Sequence, residues 1–367
     1  MTVKRLSLDG FRNYNTEEVH FCDGINVING RNAQGKTNLI EAIYYLATGK
    51  SFRGASDKEL ISFNRENACI RADIKSSERE QTLEARFFCG RRREIYANEV
   101  KLKKTAELAG RLTAVLFYPD DLAIIKEGAS VRRKLMDNSL SQLRPGYLAA
   151  FTEFGKLYDH KTRILRDHYE KPQLLELLDD FNIRLAEHSA QLIYYRAAFA
   201  KKLSARASII HKEFSNGQEE LVIRYKTVGG MDAADKTPQE LLPSLLEHQK
   251  NHYNAELRSG LCLSGAHKDD LEIEINGNAA RKYASQGQTR TAAVSIKLAE
   301  RDIFFDDRGE YPVLLLDDVL SELDTKRQEF ILGRIKQGQV FVTCCDDAIT
   351  GALSGGKALR IENGELS

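Results

Sequence analysis

The chain has 367 residues, 54 lysines and arginines against 53 aspartates and glutamates, and 42% hydrophobic residues, the balance of a folded globular protein with room for two domains or for one with an insertion. No run of 18 apolar residues occurs and the first residues lack the apolar core of a signal peptide, so neither an α-helical membrane span nor a secretory leader is expected. The six cysteines show no C-x-x-C spacing and no nearby histidine pair, which speaks against zinc and a disulfide framework and for a reducing, cytoplasmic setting, and a net charge of +1 leaves any nucleic-acid affinity to local patches.

Residues 3–8 and 19–22 read as strands joined by the turn Phe11-Arg12-Asn13-Tyr14. They feed Ile25-Asn26-Val27-Ile28-Asn29, short, apolar and β-branched, as a buried parallel strand requires. Gly30-Arg31-Asn32-Ala33-Gln34-Gly35-Lys36-Thr37 follows and fits G-x-x-x-x-G-K-[ST] at every fixed position. Positions 39, 40, 43 and 46 then repeat apolar side chains at helical spacing. A strand, a glycine-containing loop and a helix in this order cradle a phosphate: the loop N–H groups and the helix N-terminus point at the anion. Lys36 would neutralise the β/γ charge and the Thr37 hydroxyl would ligate Mg²⁺. The expected ligand is a nucleoside triphosphate.

Residues 50–54 form a basic loop, and from 66 to 100 the period changes to two, giving antiparallel strands at 68–74, 82–88 and 94–99. Residues 115–118 read as a further strand stopped by Pro119. From about 130 to 215 the pattern is helical, interrupted near Pro145 and Pro172, with leucines at 174–185 expected to pack. A short strand at 221–226, a flexible turn at 229–236 and a helix at 238–257 complete this insertion. The α/β pattern then returns: strands at 271–275, 312–316, 339–344 and 358–362, with a helix at 289–305.

Val313-Leu314-Leu315-Leu316-Asp317-Asp318 is an apolar strand that ends in two carboxylates, the usual partner of a phosphate loop. Asp317 would hold the metal through a water, and Asp318 would orient or deprotonate the attacking water. Before it, Ser285-Gln286-Gly287-Gln288 opens a helix with a hydroxyl, a glycine and a positive dipole end, a second anion site. In one chain that site cannot easily reach the first nucleotide; in a head-to-head dimer it caps the partner's γ-phosphate.

This order resembles the ABC-type ATPase head, with residues 285–288 as the signature and Ser321-Glu322-Leu323-Asp324 as the D-loop. The split head with a helical insertion is similar to the SMC-related branch, and within it to the RecF family across nearly the whole chain. The matching residues are the turn at 11–14, the loop at 30–38, Gly49-Lys50-Ser51-Phe52-Arg53, the runs at 117–122 and 132–137, Ser264-Gly265-Ala266-His267-Lys268-Asp269-Asp270, the signature, and residues 316–324. The resemblance implies an α/β head, with a mixed sheet and an antiparallel β subdomain, formed by residues 1–125 and 260–367, and a mainly helical lobe at 126–259. It further implies a cytoplasmic protein that binds ATP and Mg²⁺, dimerises with ATP, and binds DNA at single-strand/double-strand junctions. With RecO and RecR it would load RecA, and slow, DNA-stimulated hydrolysis would reset it. Asp318 stands where many ABC heads carry glutamate, and Thr343-Cys344-Cys345 where many carry a histidine against the γ-phosphate, a contact Thr343 can make with its hydroxyl.

DNA contact would show as local positive charge. Arg91, Arg92, Arg93, Lys101, Lys103 and Lys104 stand against only Glu94 and Glu99, and Arg132 and Arg133 open the helical lobe; all are candidates for phosphate contacts. His267 has no partner at metal-ligand spacing and reads as a loop residue near the nucleotide or the dimer face. Two other readings compete. A P-loop kinase would leave the signature and D-loop without a role, and the short, proline-broken insertion does not suit an SMC-type tether.

Overall fold

Thr2–Asp9 (β1) and Thr16–His20 (β2) pair antiparallel, Leu6 opposite Val19, because β1 buries Val3, Leu6 and Leu8 on one face. The structure is a computed structural model that describes residues 1–345, 356–362 and 364–366. It divides into two units, residues 1–123 with 290–367, and residues 124–289.

In the first unit, Ile25–Asn29 (β3) runs into the glycine loop, and Lys36–Thr48 (α1) follows directly. α1 buries Leu39, Ile40, Ile43 and Leu46 and ends at Gly49, whose left-handed backbone (φ 71°) returns its N–H to Tyr45. Asn67–Lys75 (β4), Glu80–Phe88 (β5), Glu94–Ala97 (β6) and Val100–Lys101 (β7) extend the β2–β1 pair into an antiparallel sheet ordered β2-β1-β4-β5-β6-β7. The strand expected over 94–99 stops early, because Asn98 and Glu99 both take positive φ and turn the chain into a tight hairpin. Phe11, Tyr45 and Phe87 fill the space beneath this sheet, with Tyr45 edge-on to Phe87 at 4.9 Å. Ala114–Phe117 (β8) is buried throughout.

The second unit is built on three helices, Ala129–Leu143 (α2), Pro145–Asp167 (α3) and the 37-residue Leu178–Phe214 (α4). Pro145 starts α3, where its missing N–H costs nothing, and Pro172 opens the 3₁₀ turn before α4. Leu178 and Leu185 are buried as expected, whereas Leu177 and Ile183 are about half exposed. Leu221–Lys226 (β9) precedes Pro238–Ser259 (α5), which Thr237 caps reciprocally with Glu240. Asp270–Ile275 (β10) pairs with β9 along its whole length and turns through Asn276-Gly277 into Asn278–Ala279 (β11). Ala280–Tyr283 (α6) follows. The β9–β10 pairing corrects the expected boundary at 259/260: residues 260–289 belong to the second unit.

Gln286–Arg308 (α7) carries the chain across the boundary at 289/290. Val313–Leu316 (β12), Thr325–Arg334 (α8), Val340–Cys344 (β13), Lys357–Glu362 (β14) and Glu365–Leu366 (β15) complete the first unit. Among the described residues its second sheet is ordered β15-β14-β3-β13-β12-β8, with β14, β3, β13, β12 and β8 parallel. The carboxyl ends of β3, β12 and β13 lie at one edge of this sheet, where a doubly-wound fold places its ligands.

Candidate nucleotide site

The loop at 30–37 is shaped by its backbone. Gly35 has φ 121° and a side chain there would meet Asn13 at 2.8 Å, while a Cβ on Gly30 would stand 2.5 Å from the Ile361 carbonyl. Ala33 adds a left-handed residue (φ 65°). The turn at 11–14 braces the loop from outside: Asn13 Nδ2 donates to the Gln34 carbonyl at 2.8 Å, and Tyr14 Oη donates to the Gly35 carbonyl at 2.9 Å. Behind it, Arg12 forks onto the buried Glu41 of α1 (2.8 and 2.9 Å), and Ser51 Oγ donates to the same carboxylate at 2.5 Å. Motif spacing alone gave these residues no role; Arg12 and Glu41, 29 apart in sequence, meet only in the fold.

Lys36 is buried and its Nζ donates to the carbonyls of Gly30 (2.6 Å) and Arg31 (3.3 Å) and to Cys345 Sγ (2.9 Å). Thr37 Oγ1 donates to Asp317 Oδ1 at 3.1 Å, joining the two halves of the sequence pattern. Asp317 follows β12, is 5% exposed, and burial pushes its carboxyl up to about 6, the neighbouring Asp318 charge adding to the shift while Thr343 and Thr37 oppose it. Thr37 and Asp317 together offer oxygen donors of the kind Mg²⁺ takes. Asp318 adopts φ 51°, so its side chain departs from the direction of the strand.

The Thr343 hydroxyl is turned toward Asp317 and Asp318 instead of into the loop, and Cys345 is the residue that reaches the loop, its Sγ 2.8 Å from Asn32 Oδ1 and 2.9 Å from Lys36. Ser321 Oγ donates to the Asp318 carbonyl at 2.6 Å, and Asp324 caps α8 through the Arg327 N–H at 3.1 Å, so the predicted D-loop turns directly out of the carboxylate pair.

Ser285, Gln286, Gly287 and Gln288 lie in the second unit. The Ser285 N–H donates to Gln288 Oε1 at 2.9 Å and the Gln288 N–H returns to Ser285 Oγ at 3.2 Å, a reciprocal cap on α7. Gln288 Nε2 is held by Glu219 at 2.9 Å.

The basic residues fare unevenly. Arg91 pairs with Glu94 (3.0 Å) and stacks over Phe88, Arg93 pairs with Asp57 (2.8 Å), and Lys101 pairs with Glu94 (2.6 Å), whose carboxyl its contacts bring down to about 2. Arg92, Lys103 and Lys104 are exposed. Arg132 is withdrawn from any phosphate: it is 3% exposed and grips Asp270 with two bonds of 2.7 and 2.9 Å, and Arg133 donates to the Asp269 carbonyl at 2.7 Å. His267 packs inside the second unit against Tyr158 (4.6 Å) and Phe154 (6.0 Å).

Comparison with known proteins bears on this geometry. A family model described as the RecF/RecN/SMC N-terminal domain matches residues 2–361. The DNA replication and repair protein RecF of Acetivibrio thermocellus is 38% identical over 347 residues, covering 94% of each chain. The chain belongs to the RecF family. RecF of Clostridium acetobutylicum is 36% identical over 369 residues, covering 100% of this chain and 99% of the other. A solved structure of the recombination mediator protein RecF-ATPrS in the RecFOR pathway superposes with a TM-score of 0.93 at 34% identity, over 100% of this chain and 97% of that one. The Smc head domain of Pyrococcus furiosus, at 16% identity and a TM-score of 0.56, shares the fold: the ABC-type head reaches beyond the RecF family.

Proposed function

We propose that this chain is an ATP-driven switch of recombinational DNA repair and replication-fork maintenance. The contact that carries the proposal is Thr37 Oγ1 to Asp317 Oδ1, which joins the phosphate loop to an acid 280 residues away. ATP occupies the loop at 30–37, its β/γ-phosphates taken by the backbone N–H groups and Lys36. Thr37 and Asp317 hold Mg²⁺, which neutralises charge on the phosphates; Asp318 orients the attacking water.

Ser285 and Gly287 of a second copy cap the γ-phosphate, so ATP assembles a dimer and hydrolysis releases it. Hydrolysis is slow and DNA-stimulated, as suits a switch: the short Asp318 side chain holds water less firmly than a glutamate would. The dimer binds DNA at single-strand/double-strand junctions in the cytoplasm, at the nucleoid, and works with RecR and RecO to load RecA. The relatives named RecF and the structure from the RecFOR pathway support that assignment. Arg92, Lys103 and Lys104, exposed on the first unit, are its candidate phosphate contacts, with Arg91, Arg93, Lys101 and Arg133 freed only by giving up the partners described above.

Light scattering on Asp318→Asn with and without ATP and Mg²⁺ tests the proposal. A monomer that becomes a dimer only with both is expected; a chain that binds ATP yet stays monomeric, even with gapped DNA, overturns the switch.

A further inference from the structure

We propose that Thr343 is a positioning residue that sets both carboxylates of the nucleotide site, and that its hydroxyl is required for hydrolysis but not for nucleotide binding. The inference rests on the reading of Asp317 and Asp318 given above. Thr343 lies on β13, which pairs in parallel with β12, and its side chain is 1% exposed. Its Oγ1 accepts the Asp318 N–H at 2.8 Å and donates toward Asp317 Oδ1 at 3.0 Å, with Asp318 Oδ1 at 3.4 Å. One buried hydroxyl thereby touches the backbone of one acid and the side chains of both.

Its hold on the Asp318 backbone matters because that residue is left-handed, with φ 51°, a conformation an L-residue with a Cβ seldom adopts unless its surroundings impose it. The bond from the Asp318 N–H to Thr343, and the bond from Ser321 Oγ to the Asp318 carbonyl, clamp the peptide groups on either side of that residue. The left-handed step turns Asp318 off the strand axis. Thr343 simultaneously supplies the second of two hydroxyl donors to Asp317 Oδ1; the first is Thr37. Without the Thr343 hydroxyl, Asp318 N–H is left without its acceptor in a partly buried place and Asp317 keeps one hydroxyl donor.

Among the described residues, the bonds that anchor Lys36 and brace the loop backbone do not pass through Thr343. Lys36 is anchored by loop carbonyls and Cys345, and the loop backbone by Asn13 and Tyr14. Loss of the hydroxyl therefore separates binding from chemistry, whereas a residue reaching the γ-phosphate would affect both.

The test compares Thr343→Val, isosteric but without the hydroxyl, with Thr343→Ser, which keeps the hydroxyl. Affinity for a fluorescent ATP analogue is measured in EDTA and in Mg²⁺, and kcat and KM are measured with DNA present. For Thr343→Val, affinity in EDTA within about threefold of the parent is expected, a smaller gain in affinity on adding Mg²⁺, and kcat about 10–100-fold lower, with KM raised only by the factor that the Mg²⁺ gain loses. Thr343→Ser recovers most of kcat and of the Mg²⁺ gain. Parental kcat and Mg²⁺ gain in Thr343→Val, or a Thr343→Ser as defective as Thr343→Val, overturns the inference, the second because packing and not the hydroxyl would then matter. If Thr343→Val loses its cooperative melting transition, Thr343→Ala takes its place in the same comparison. Failure of the underlying reading looks different: the parent chain itself then binds no ATP analogue, or Asp318→Asn hydrolyses ATP at the parental rate.

Discussion

Thr37 and Asp317 meet at 3.1 Å although 280 residues separate them, and Asp317 meets them as a carboxylate almost wholly removed from water. A carboxyl that titrates near 3.8 in the unfolded chain and near 6 in the folded one binds its proton more tightly when folded, so its ionisation at neutral pH works against the fold. The metal-holding role proposed for Asp317 would account for that cost, because such a site needs the charge. Asp317→Asn should therefore leave the apo protein at least as stable at pH 7, gaining up to about 2 kcal/mol, while the rise in melting temperature on adding ATP and Mg²⁺ disappears. Thermal melts of both proteins, with and without the nucleotide and metal, check the two effects together. A variant that melts lower in the apo state but keeps the full ligand-induced rise would show Asp317 to be a structural acid.

Ser285 and Gln288 cap α7 reciprocally inside the second unit, while the phosphate loop, Asp317 and Asp318 all belong to the first. On the proposed reading, Ser285→Arg puts a bulky side chain where the γ-phosphate of another copy would be capped, and it removes one hydroxyl from the helix cap, a loss of about 1 kcal/mol to local stability. The expected result is an unchanged affinity of the monomer for ATP and no ATP-dependent dimer, read by equilibrium dialysis and by sedimentation. Dimers that form as in the parent would remove residues 285–288 from the switch.

Arg132 is the clearest case of a basic residue that composition assigns to DNA and the fold assigns to itself. Its guanidinium forks onto Asp270 and also donates to the carbonyls of Ile124 and Glu127, both at 2.9 Å, so it ties the start of α2 to β10. Arg132→Ala leaves Asp270 partly buried and without its partner, and should cost about 3 kcal/mol, read as a lower urea midpoint. The salt dependence of DNA affinity should keep its slope in whatever variant protein remains folded, since no phosphate contact is lost. Arg92→Ala combined with Lys103→Ala and Lys104→Ala should do the reverse, with an unchanged urea midpoint and a shallower slope.

The features legible in the sequence were those carried by neighbours in the chain. Strand, glycine loop and helix follow one another within residues 25–48, so local pattern sufficed. Asp317 and Asp318 were legible because a buried strand announces its end by the change from Leu316 to carboxylate. What depended on distant pairing was not. The alliance of β10 with β9 moved residues 260–289 out of the head, and no property of those residues alone reveals which strand they join. Charge runs misled for the same reason: Arg93 and Asp57 are 36 residues apart, and Arg132 and Asp270 are 138 apart. The residues at 11–14 were legible as a turn but not as a brace, because bracing a loop through backbone carbonyls demands a shape and leaves no spacing rule.

His267 provides a check on the second unit that is independent of any ligand. Its Nε2 lies 2.9 Å from the Cys262 carbonyl, its ring sits against Tyr158 and Phe154, and its Nδ1 is buried with no hydrogen-bond partner among the described residues. Burial brings its pKa down to about 4 from 6.5; the Cys262 carbonyl opposes this, and the positive charges of Lys268, Arg133 and Lys161 add to it. Between about 6.5 and 4 the unfolded chain takes up a proton that the folded chain refuses, so stability is full above 6.5 and falls as the pH is lowered through that window. At pH 5 this one group should cost about 1–2 kcal/mol, the figure reduced for the part of the ring that water reaches. His211 and His248 are also held below 6.5 by burial and contribute in the same direction, so the measurement must be a difference. Urea midpoints at pH 7.5, 6 and 5 for the parent and His267→Gln give it. The variant should start less stable at pH 7.5, having lost its ring contacts, and should lose about 1–2 kcal/mol less than the parent on going to pH 5. Parallel pH dependences in the two proteins would mean that His267 charges without cost, and that its packing against Tyr158 and Phe154 is looser than the structure has it.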